Sequence, residues 1–417
     1  MSAYEKRARA QQAKAVVGID AGKRKHAMVI RPKDGRDTSP FMFAATRSGF
    51  EAAIAHLHLH VPSARPCEVL VAIEFAGYYG FTLAHYLRGL AFDVVSVLPK
   101  HTKQWKHVYH NQGLKSDAAD AETITDLAAQ GSFVTFPFMR QEYADLRYLV
   151  SQRERLTKLR GGAITRLKDV LQVVWPEFEQ SCGNFNKATP LAILKAFPGP
   201  HAFLKAGKRR VLSVISKSSR GHHGEELYAE LLLSAKETVA LPGAQGCLKE
   251  ELAHQIELIE VYEKQIETVE GLMSDALGRT PEAESLLSIP KLGAVAAAVF
   301  LGSIGDPRAY ESYRQVLRVG GLSLITRTAS GSNPGVPHLS KSGRPEMRRQ
   351  MYMFAVRSVS REGVYRAYME RALRKNPKTP KKKVLVAIAR EATRMMFKIA
   401  LERRPFTAEA PRHRQPA

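Results

Sequence analysis

The first 130 residues alternate between short apolar runs and amphipathic stretches. Apolar runs of five to seven residues favour strands, and the longer amphipathic stretches between them favour helices. The predicted strands are residues 16–20, 26–31, 41–45, 68–74 and 92–98, and the predicted helices are residues 50–60, 79–88 and 117–129. Three strands, then two strands separated by a helix, then a further helix predict an α/β domain with a mixed sheet over residues 1–135.

From residue 141 the apolar spacing becomes that of long helices. Leu146, Leu149, Leu156 and Leu159 follow spacings of three, seven and three residues, and a similar series runs through residues 252–269. This pattern predicts a coiled-coil stalk over residues 136–280, although two ordinary bundle helices would show it as well. Between the two series, residues 176–246 contain Pro, Gly and a basic, Ser-rich stretch, which we interpret as an insertion in the stalk.

The last third of the chain predicts a mainly α domain over residues 281–404. Pro290 and Gly293 precede a helix of small residues, as in a helix-hairpin-helix, whose backbone amides can face a phosphate. A tightly packed helix pair would give the same pattern. We expect a basic loop over residues 375–383, a helix over residues 384–402 and a disordered tail over residues 405–417.

The charge of the chain indicates its class of partner more clearly than the apolar pattern does. The 417 residues include 63 Lys and Arg against 40 Asp and Glu, a formal net charge of +23, which favours a polyanionic partner such as nucleic acid. A protein made basic for solubility, or a ribosome-associated factor, is the alternative. The three cysteines form no CxxC pair, and the chain has neither an apolar run that spans a bilayer nor a signal-peptide core. We therefore expect no membrane partner and a cytoplasmic location, associated with the nucleoid when the protein acts.

Four carboxylates occupy positions that suggest chemistry. Asp20 and Glu74 each end an apolar strand, and Asp117 and Asp120 lie three residues apart on one face of the helix that they open. Such acids can converge on one edge of a sheet, where they would suit Mg²⁺. Two ions about 4 Å apart could then activate attack on a phosphodiester. Each acid also has a structural interpretation, Asp117 as a helix cap and Asp20 as a turn residue.

The same residues carry a family resemblance. The segments Gly18-Ile19-Asp20-Ala21-Gly22, Ile73-Glu74-Phe75-Ala76-Gly77 and Lys115-Ser116-Asp117-Ala118-Ala119-Asp120 resemble the DEDD transposases. These are insertion-sequence recombinases with a RuvC-like, RNase H-fold N-terminal domain. The predicted order of strands and helices suits that fold, and the resemblance implies that Asp20, Glu74, Asp117 and Asp120 are catalytic and bind Mg²⁺.

The resemblance continues into the C-terminal region. Family members carry an I-P-G-I-G-like segment where this chain has Ile289-Pro290-Lys291, so Lys291 replaces the first glycine. They also carry a Ser-Gly loop with a nucleophilic serine, followed by a basic S-K-x-G segment. The matching positions are Ser330, with Ser332 as the alternative nucleophile, and the segment 340–343, whose Lys341 could contact phosphates.

The resemblance implies a site-specific DNA recombinase that forms a covalent phosphoserine intermediate. It also implies donor and target DNA, a noncoding bridge RNA and a homo-oligomer, a dimer or tetramer, as partners. We expect basic residues to hold the nucleic-acid backbones, although each could equally be a solvated surface charge. These residues are Lys103, Lys106, Lys115, Lys291, Lys341, Arg344, Arg348, Arg349, Lys381, Lys382 and Lys383.

Two other hypotheses stay open from the sequence. The chain could be a metal-dependent junction nuclease that cleaves by water attack, with Ser330 in a structural role. It could also be a non-catalytic RNA-binding scaffold in which the four acids are caps and turns. Loss of activity on replacement of the acids separates the scaffold from the enzymes, and replacement of Ser330 separates the two enzymes.

Overall fold

The computed structural model describes residues 2–74, 79–109, 116–136, 138–241, 245–326, 337–360 and 363–407. The chain divides into two compact units, Met1–Phe138 and Met139–Ala417.

The N-terminal unit is built on a six-stranded mixed sheet. Its strands are β1 (Ala15–Ala21), β2 (Lys25–Pro32), β3 (Phe41–Ala44), β4 (Val69–Glu74), β5 (Asp93–Val97) and β6 (Val134–Thr135). The spatial order is β3-β2-β1-β4-β5-β6. Strands β1, β4 and β5 are parallel to one another, whereas β2, β3 and β6 pair antiparallel to their neighbours.

Helices cover both faces of this sheet. They are α1 (Ala3–Gln12), α2 (Arg47–His60), α3 (Tyr79–Gly89), α4 (Pro99–Tyr109) and α5 (Asp117–Ala129). Alternate residues of β1 point to opposite faces, so Val17 and Ile19 pack with α2 and α3, whereas Val16 packs with α1 and α5. The mixed α/β class expected from the sequence is therefore confirmed for this unit.

The sequence patterns did not predict α1, α4 or β6. Helix α1 buries only Ala10, and α4 is rich in Lys and His, so neither shows the apolar stripe that identifies a core-facing helix. Strand β6 has only two residues, which is too short for a periodic signal.

The C-terminal unit is organised around two helices of 34 residues each, α6 and α12. Five shorter helices lie between them in the chain. The bounds are α6 (Gln141–Val174), α7 (Phe178–Cys182), α8 (Ala188–Ala196), α9 (Pro200–Ala206), α10 (Lys208–Ser219), α11 (Glu225–Lys236) and α12 (Gln245–Gly278). The start of α6 shares a core with the end of α12, and the end of α6 shares a second core with the start of α12, so the pair is antiparallel.

We call residues 175–241, which contain α7 to α11, the tip subdomain. They pack around the end of α6 and the start of α12 and bury Trp175, Phe178 and Phe203 there. The segment interpreted as an insertion is therefore a folded helical bundle with its own aromatic core.

The remaining helices form a bundle on the opposite end of the α6–α12 pair. They are α13 (Ala283–Leu287), α14 (Ala294–Ile304), α15 (Tyr313–Val319), α16 (Pro345–Ser358), α17 (Arg366–Lys375) and α18 (Lys381–Glu402). The two-residue strands β7 (Leu324–Ile325) and β8 (His338–Leu339) pair antiparallel. The small-residue helix α14 is buried along most of its length, and Gly302 lets it approach the backbone of α6 at Leu146.

One expectation about the end of the chain changes. Lys381, Lys382 and Lys383 form the first turn of α18 and are not part of a loop, because Pro380 initiates the helix three residues before the apolar pattern begins. The predicted tail lies outside the described residues from 408 onward. Among the helices described here, none has both the length and the apolarity needed to cross a bilayer.

Candidate catalytic site

Two of the four predicted acids stand side by side at one edge of the sheet. Strands β1 and β4 run parallel, with Ile19 opposite Ile73 in the register. Asp20 and Glu74 are the next residues on each strand, and both are half-buried. The local sequence explains the pairing, because each acid directly follows a run of buried apolar residues that fixes its strand in the middle of the sheet.

Helix α5 brings the other two acids to the same region. The Ser116 hydroxyl caps the helix by accepting a hydrogen bond of 3.2 Å from the Ala119 amide, which places Asp117 and Asp120 in the first turn. The helix crosses β1 at Gly18, where an added Cβ would lie 2.6 Å from the Ala121 carbonyl oxygen. Only glycine allows this approach, so Gly18 sets the position of α5 relative to Asp20.

Burial and neighbouring charges shift the pKa values of Asp20 and Glu74. Burial first, and then the negative charges of Asp117 and Glu74, raise the pKa of Asp20 to about 6. Burial also raises the pKa of Glu74, while the Thr102 hydroxyl and Lys106 lower it. The cluster therefore carries mutual repulsion that a cation would relieve.

Lys106 on α4 already supplies one positive charge to this cluster. Its ammonium group forms an ion pair with Asp120 and lowers the pKa values of Asp20 and Glu74. Lys106 was predicted to contact nucleic acid, whereas the structure brings it to the acids. Lys103, on the same helix, is exposed, as a backbone contact would need. Pro99 after β5 was the signal that could have revealed α4, because proline is favoured in the first turn of a helix.

The four acids offer oxygen ligands of the type that hard divalent cations prefer. Across the described part of the chain, however, no three Asp, Glu, His or Cys side chains lie close enough together to hold a metal ion. The expected ligands lie in one region of the fold, where Asp120 forms its ion pair with Lys106.

The C-terminal candidates are described only in part. Ser330, Ser332 and Lys115 lie outside the described residues. The segment 340–343 is described and is tightly held: Gly343 has a φ of +158°, and a Cβ there would lie 2.7 Å from the Arg318 carbonyl oxygen. Arg348 donates hydrogen bonds to the carbonyl oxygens of Gly320 and Lys341, at 3.0 and 3.3 Å. Arg348 therefore anchors this loop, and Lys341 itself is exposed.

Arg349, which the sequence also predicted to contact nucleic acid, belongs to an ion-pair network around the buried Glu346. Glu346 is 7% exposed and accepts hydrogen bonds from Arg349, Gln350 and Arg153. Although burial raises the pKa of Glu346, these hydrogen bonds lower it by more. Sequence patterns gave no indication of Arg153, which joins α6 to α16 through Glu346 and to α12 through Glu270.

The same network borders a basic cleft of about 640 Å³. Lys291, Gly293, Arg349 and Arg357 contribute to its walls, at the N-terminus of α14. Lys291 has a φ of +66°, a conformation that glycine adopts more readily. At this position the family resemblance implies a glycine. Arg344 and the three lysines 381–383 are exposed.

A mixed sheet with two adjacent strand-end acids, together with a net charge of +23, is typical of proteins that process nucleic acids. Residues 17–176 match the family model of the IS110-type DEDD transposases, described as transposase, and residues 283–370 match the model described as the transposase IS116/IS110/IS902 family.

Relatives along most of the chain agree with these matches. An insertion element IS116 protein of 44.8 kDa from Streptomyces clavuligerus is 25% identical over 400 residues, which cover 95% of this chain and 96% of the relative. An insertion element IS900 protein of Mycobacterium paratuberculosis is 25% identical over 85% of this chain and 88% of its own. The transposase for insertion sequence element IS1111A of Coxiella burnetii is 22% identical over 84% of this chain and 79% of its own.

The chain belongs to the IS110/IS116 family of insertion-sequence transposases, and as a DNA transposase it is an enzyme. The scaffold hypothesis is therefore wrong.

Proposed function

We propose that this transposase cuts and rejoins DNA at specific sites through a serine nucleophile assisted by its acidic cluster. The observation that carries the proposal is the placement of Asp20 and Glu74 on adjacent parallel strands, with the first turn of α5 beside them. Acids that abut buried strands in one region, with raised pKa values, are more typical of a catalytic site than of caps and turns.

The N-terminal unit is best interpreted as an RNase H-like fold of the RuvC type. Its sheet supports this interpretation, since three antiparallel strands are followed by two parallel ones in the order β3-β2-β1-β4-β5. In this interpretation Asp20, Glu74, Asp117 and Asp120 bind Mg²⁺, which DEDD transposases generally use as a divalent metal. A bound cation would compete with the Lys106 ammonium group for Asp120.

In the proposed reaction the Ser330 oxygen attacks a DNA phosphorus atom. A serine–phosphate bond forms and the bond from phosphorus to one deoxyribose oxygen breaks. The serine hydroxyl loses one proton, and the departing oxygen gains one to become a free hydroxyl. The covalent ester conserves the bond energy that rejoining needs, whereas attack by water would release it. The carboxylates of the N-terminal unit bind the metal in this scheme, and the exposed Lys341 offers a positive charge to a phosphate oxygen.

Site selection by a noncoding bridge RNA that pairs with donor and target DNA belongs to the same proposal. The net charge of +23 suits two nucleic-acid partners. The proposal also includes the α6–α12 pair as a stalk through which the chain forms a dimer or tetramer. Exposed apolar side chains on that pair, such as Leu159, Leu258 and Val261, support it.

The test is to trap the covalent adduct. The protein would be expressed with the noncoding segment that flanks its element and incubated with donor and target DNA and Mg²⁺. We expect a protein–DNA adduct on denaturing gels that peptide mapping locates to Ser330. Replacement Ser330→Ala should abolish the adduct, with Ser332→Ala as the matched control that keeps it.

The remaining outcomes distinguish the serine recombinase from the junction nuclease. Asp20→Asn should abolish both cleavage and adduct, because the acidic cluster is needed for either. DNA cleavage by Ser330→Ala without any adduct would instead establish the junction nuclease. An adduct that persists in Ser330→Ala and disappears in Ser332→Ala would move the nucleophile to Ser332.

A further inference from the structure

The tip subdomain has no part in the function proposed above. It has an aromatic core made by Trp175, Phe178, Phe197 and Phe203, and its helices pack on the end of α6 and the start of α12. A core of this size needs no ligand to fold, so the character of its surface can be considered separately.

The charge of the subdomain is strongly one-sided along the sequence. No Asp or Glu occurs between Glu179 and Glu225, a stretch that contains α8, α9 and α10. The same stretch contains eight basic residues, which are Lys187, Lys195, Lys205, Lys208, Arg209, Arg210, Lys217 and Arg220. The acids of the subdomain are confined to its two ends, at α7 and α11.

Helix α10 gathers half of these cations on one face. Val211, Ile215 and Ser219 form its buried side at spacings of four residues. At 100° per residue, the opposite side carries a continuous exposed set. Its members are Arg209, Arg210, Ser213, Ser216, Lys217 and Arg220. We call this set the basic face of α10.

Few of these cations are neutralised within the protein. Lys208, at the edge of the face, pairs with Glu225 at 2.8 Å, and the Arg210 guanidinium lies 5.8 Å from the centre of the Phe197 ring. Arg209, Lys217 and Arg220 have no acidic partner within the described residues. Like charges on one helix face repel, so the face is not arranged for the stability of the helix.

The composition of the face identifies the kind of partner. It offers guanidinium, ammonium and hydroxyl groups, all of which bind phosphate oxygens. It has no aromatic side chain on which an unpaired base could stack, and no Asn or Gln to read a base edge. The face runs about 16 Å from Arg209 to Arg220, roughly half a turn of duplex, where phosphates are dense and regularly spaced.

We propose that the basic face of α10 binds the phosphate backbone of duplex DNA without regard to sequence. The enzyme's class already requires a DNA duplex, and charge complementarity selects it as the occupant. Helix α6 is about 51 Å long and its two halves belong to different cores, so the core of the tip subdomain lies about 30 Å along the helix from the core of the C-terminal bundle. The basic face therefore belongs to a core distinct from that of the C-terminal bundle.

The test compares two triple variants of the full-length protein. The first, Arg209→Gln with Lys217→Gln and Arg220→Asn, removes three charges from the face. Asn is chosen at position 220 because Arg220 has a φ of +53°, which Asn tolerates. The control, Lys158→Gln with Lys236→Gln and Lys264→Gln, removes three exposed charges from α6, α11 and α12 outside the face. Circular dichroism and Trp175 fluorescence would check that both variants fold.

Binding would be measured by anisotropy with a random-sequence DNA duplex and an RNA duplex of equal length, over a salt series. We expect the face variant to bind DNA at least about tenfold more weakly at 0.1 M salt, and its log K against log salt slope to be shallower by two to three. The control should stay within about twofold of the wild type. Equal effects of the two variants would overturn the proposal, and so would a loss confined to the RNA duplex, which would make RNA the partner. Neither readout depends on strand cleavage, so failure here leaves the serine mechanism untouched.

Discussion

Asp20 illustrates how one side chain combines structural cost and function. Burial at the end of β1 and the charges of Asp117 and Glu74 raise its pKa from 3.8 to about 6. In the range between these values, the folded protein keeps a proton that the unfolded chain has lost, so stability falls as pH rises. Above about pH 6 the whole penalty is present.

Replacement Asp20→Asn should therefore stabilise the N-terminal unit at pH 7 and have little effect at pH 4. We expect a gain of about 1–2 kcal/mol at pH 7, since the group is half-buried and solvent screening reduces the full effect of its shift. The measurement is urea unfolding followed by the fluorescence of Trp105 in a Trp175→Phe background, because Trp105 and Trp175 are the two tryptophans of the chain.

Asp34→Asn is the matched control, because Asp34 is exposed on a loop of the same unit. Its stability should not differ from the parent at either pH. Equal effects of Asp20→Asn at pH 4 and pH 7 would contradict the raised pKa of Asp20. Addition of Mg²⁺ should stabilise the parent more than Asp20→Asn if the four acids bind the ion as proposed.

At the scale of elements, α6 joins two cores that lie on either side of a weak point. Leu156 belongs to the core of the C-terminal bundle, and Ala163 belongs to the core of the tip subdomain. Between them lie Gly161 and Gly162, inside the helix, with no atom within 4 Å of a Cβ built at either position. Glycine in a helix interior is unfavourable, so this is where α6 is least stable by itself.

Replacement of Gly161 and Gly162 by Ala should stabilise the C-terminal unit. We expect about 0.5–1 kcal/mol for each substitution, because alanine lowers the backbone entropy of the unfolded chain and meets no neighbour. Unfolding followed by Trp175 fluorescence in a Trp105→Phe background measures this change. Gly302→Ala is the opposite control, since its Cβ would lie 3.0 Å from the Leu146 carbonyl carbon and should destabilise the unit. A loss of stability in the Gly161 and Gly162 variants would show a packing role for these glycines.

For the whole molecule, the binding of nucleic acid depends on how many of the 63 Lys and Arg side chains are paired with the 40 Asp and Glu side chains. Part of the positive charge of the C-terminal unit is neutralised by ion pairs within it. Examples are the Arg153–Glu346–Arg349 network and the pairing of Arg403 with the buried Glu282. Other cations remain exposed, among them Lys103, Lys341 and the first turn of α18. Net charge therefore overstates the number of available phosphate contacts, although a substantial excess remains.

The affinity of the intact protein for duplex DNA should fall steeply with salt. If six to ten phosphates are contacted, affinity between 50 and 200 mM salt should drop by about 10³- to 10⁵-fold. Fluorescence anisotropy over a salt series gives the slope directly. A flat response would mean that the positive charge serves solubility, the alternative that composition alone left open.

Much of the N-terminal unit could be predicted from local patterns. Strands β1, β2, β4 and β5 are continuous apolar runs because they are buried on both faces, and α5 begins at Asp117 because Ser116 caps it. Helix α4 was not predicted, because it shows no apolar stripe and Pro99 after β5 was its local signal. Because α4 was not predicted, the ion pair between Lys106 and Asp120 was not predicted either.

The sequence by itself determined the class of the fold, the long helices and the positions of the four acids at strand ends and in the first turn of α5. These features depend on periodicity and on residues adjacent to buried runs, which are local properties. Only the tertiary structure decided which cations are engaged within the protein, since Lys106 and Arg348 find partners on other elements. It also decided that residues 175–241 form a bundle with one basic face, because that face exists only once α10 buries Val211 and Ile215.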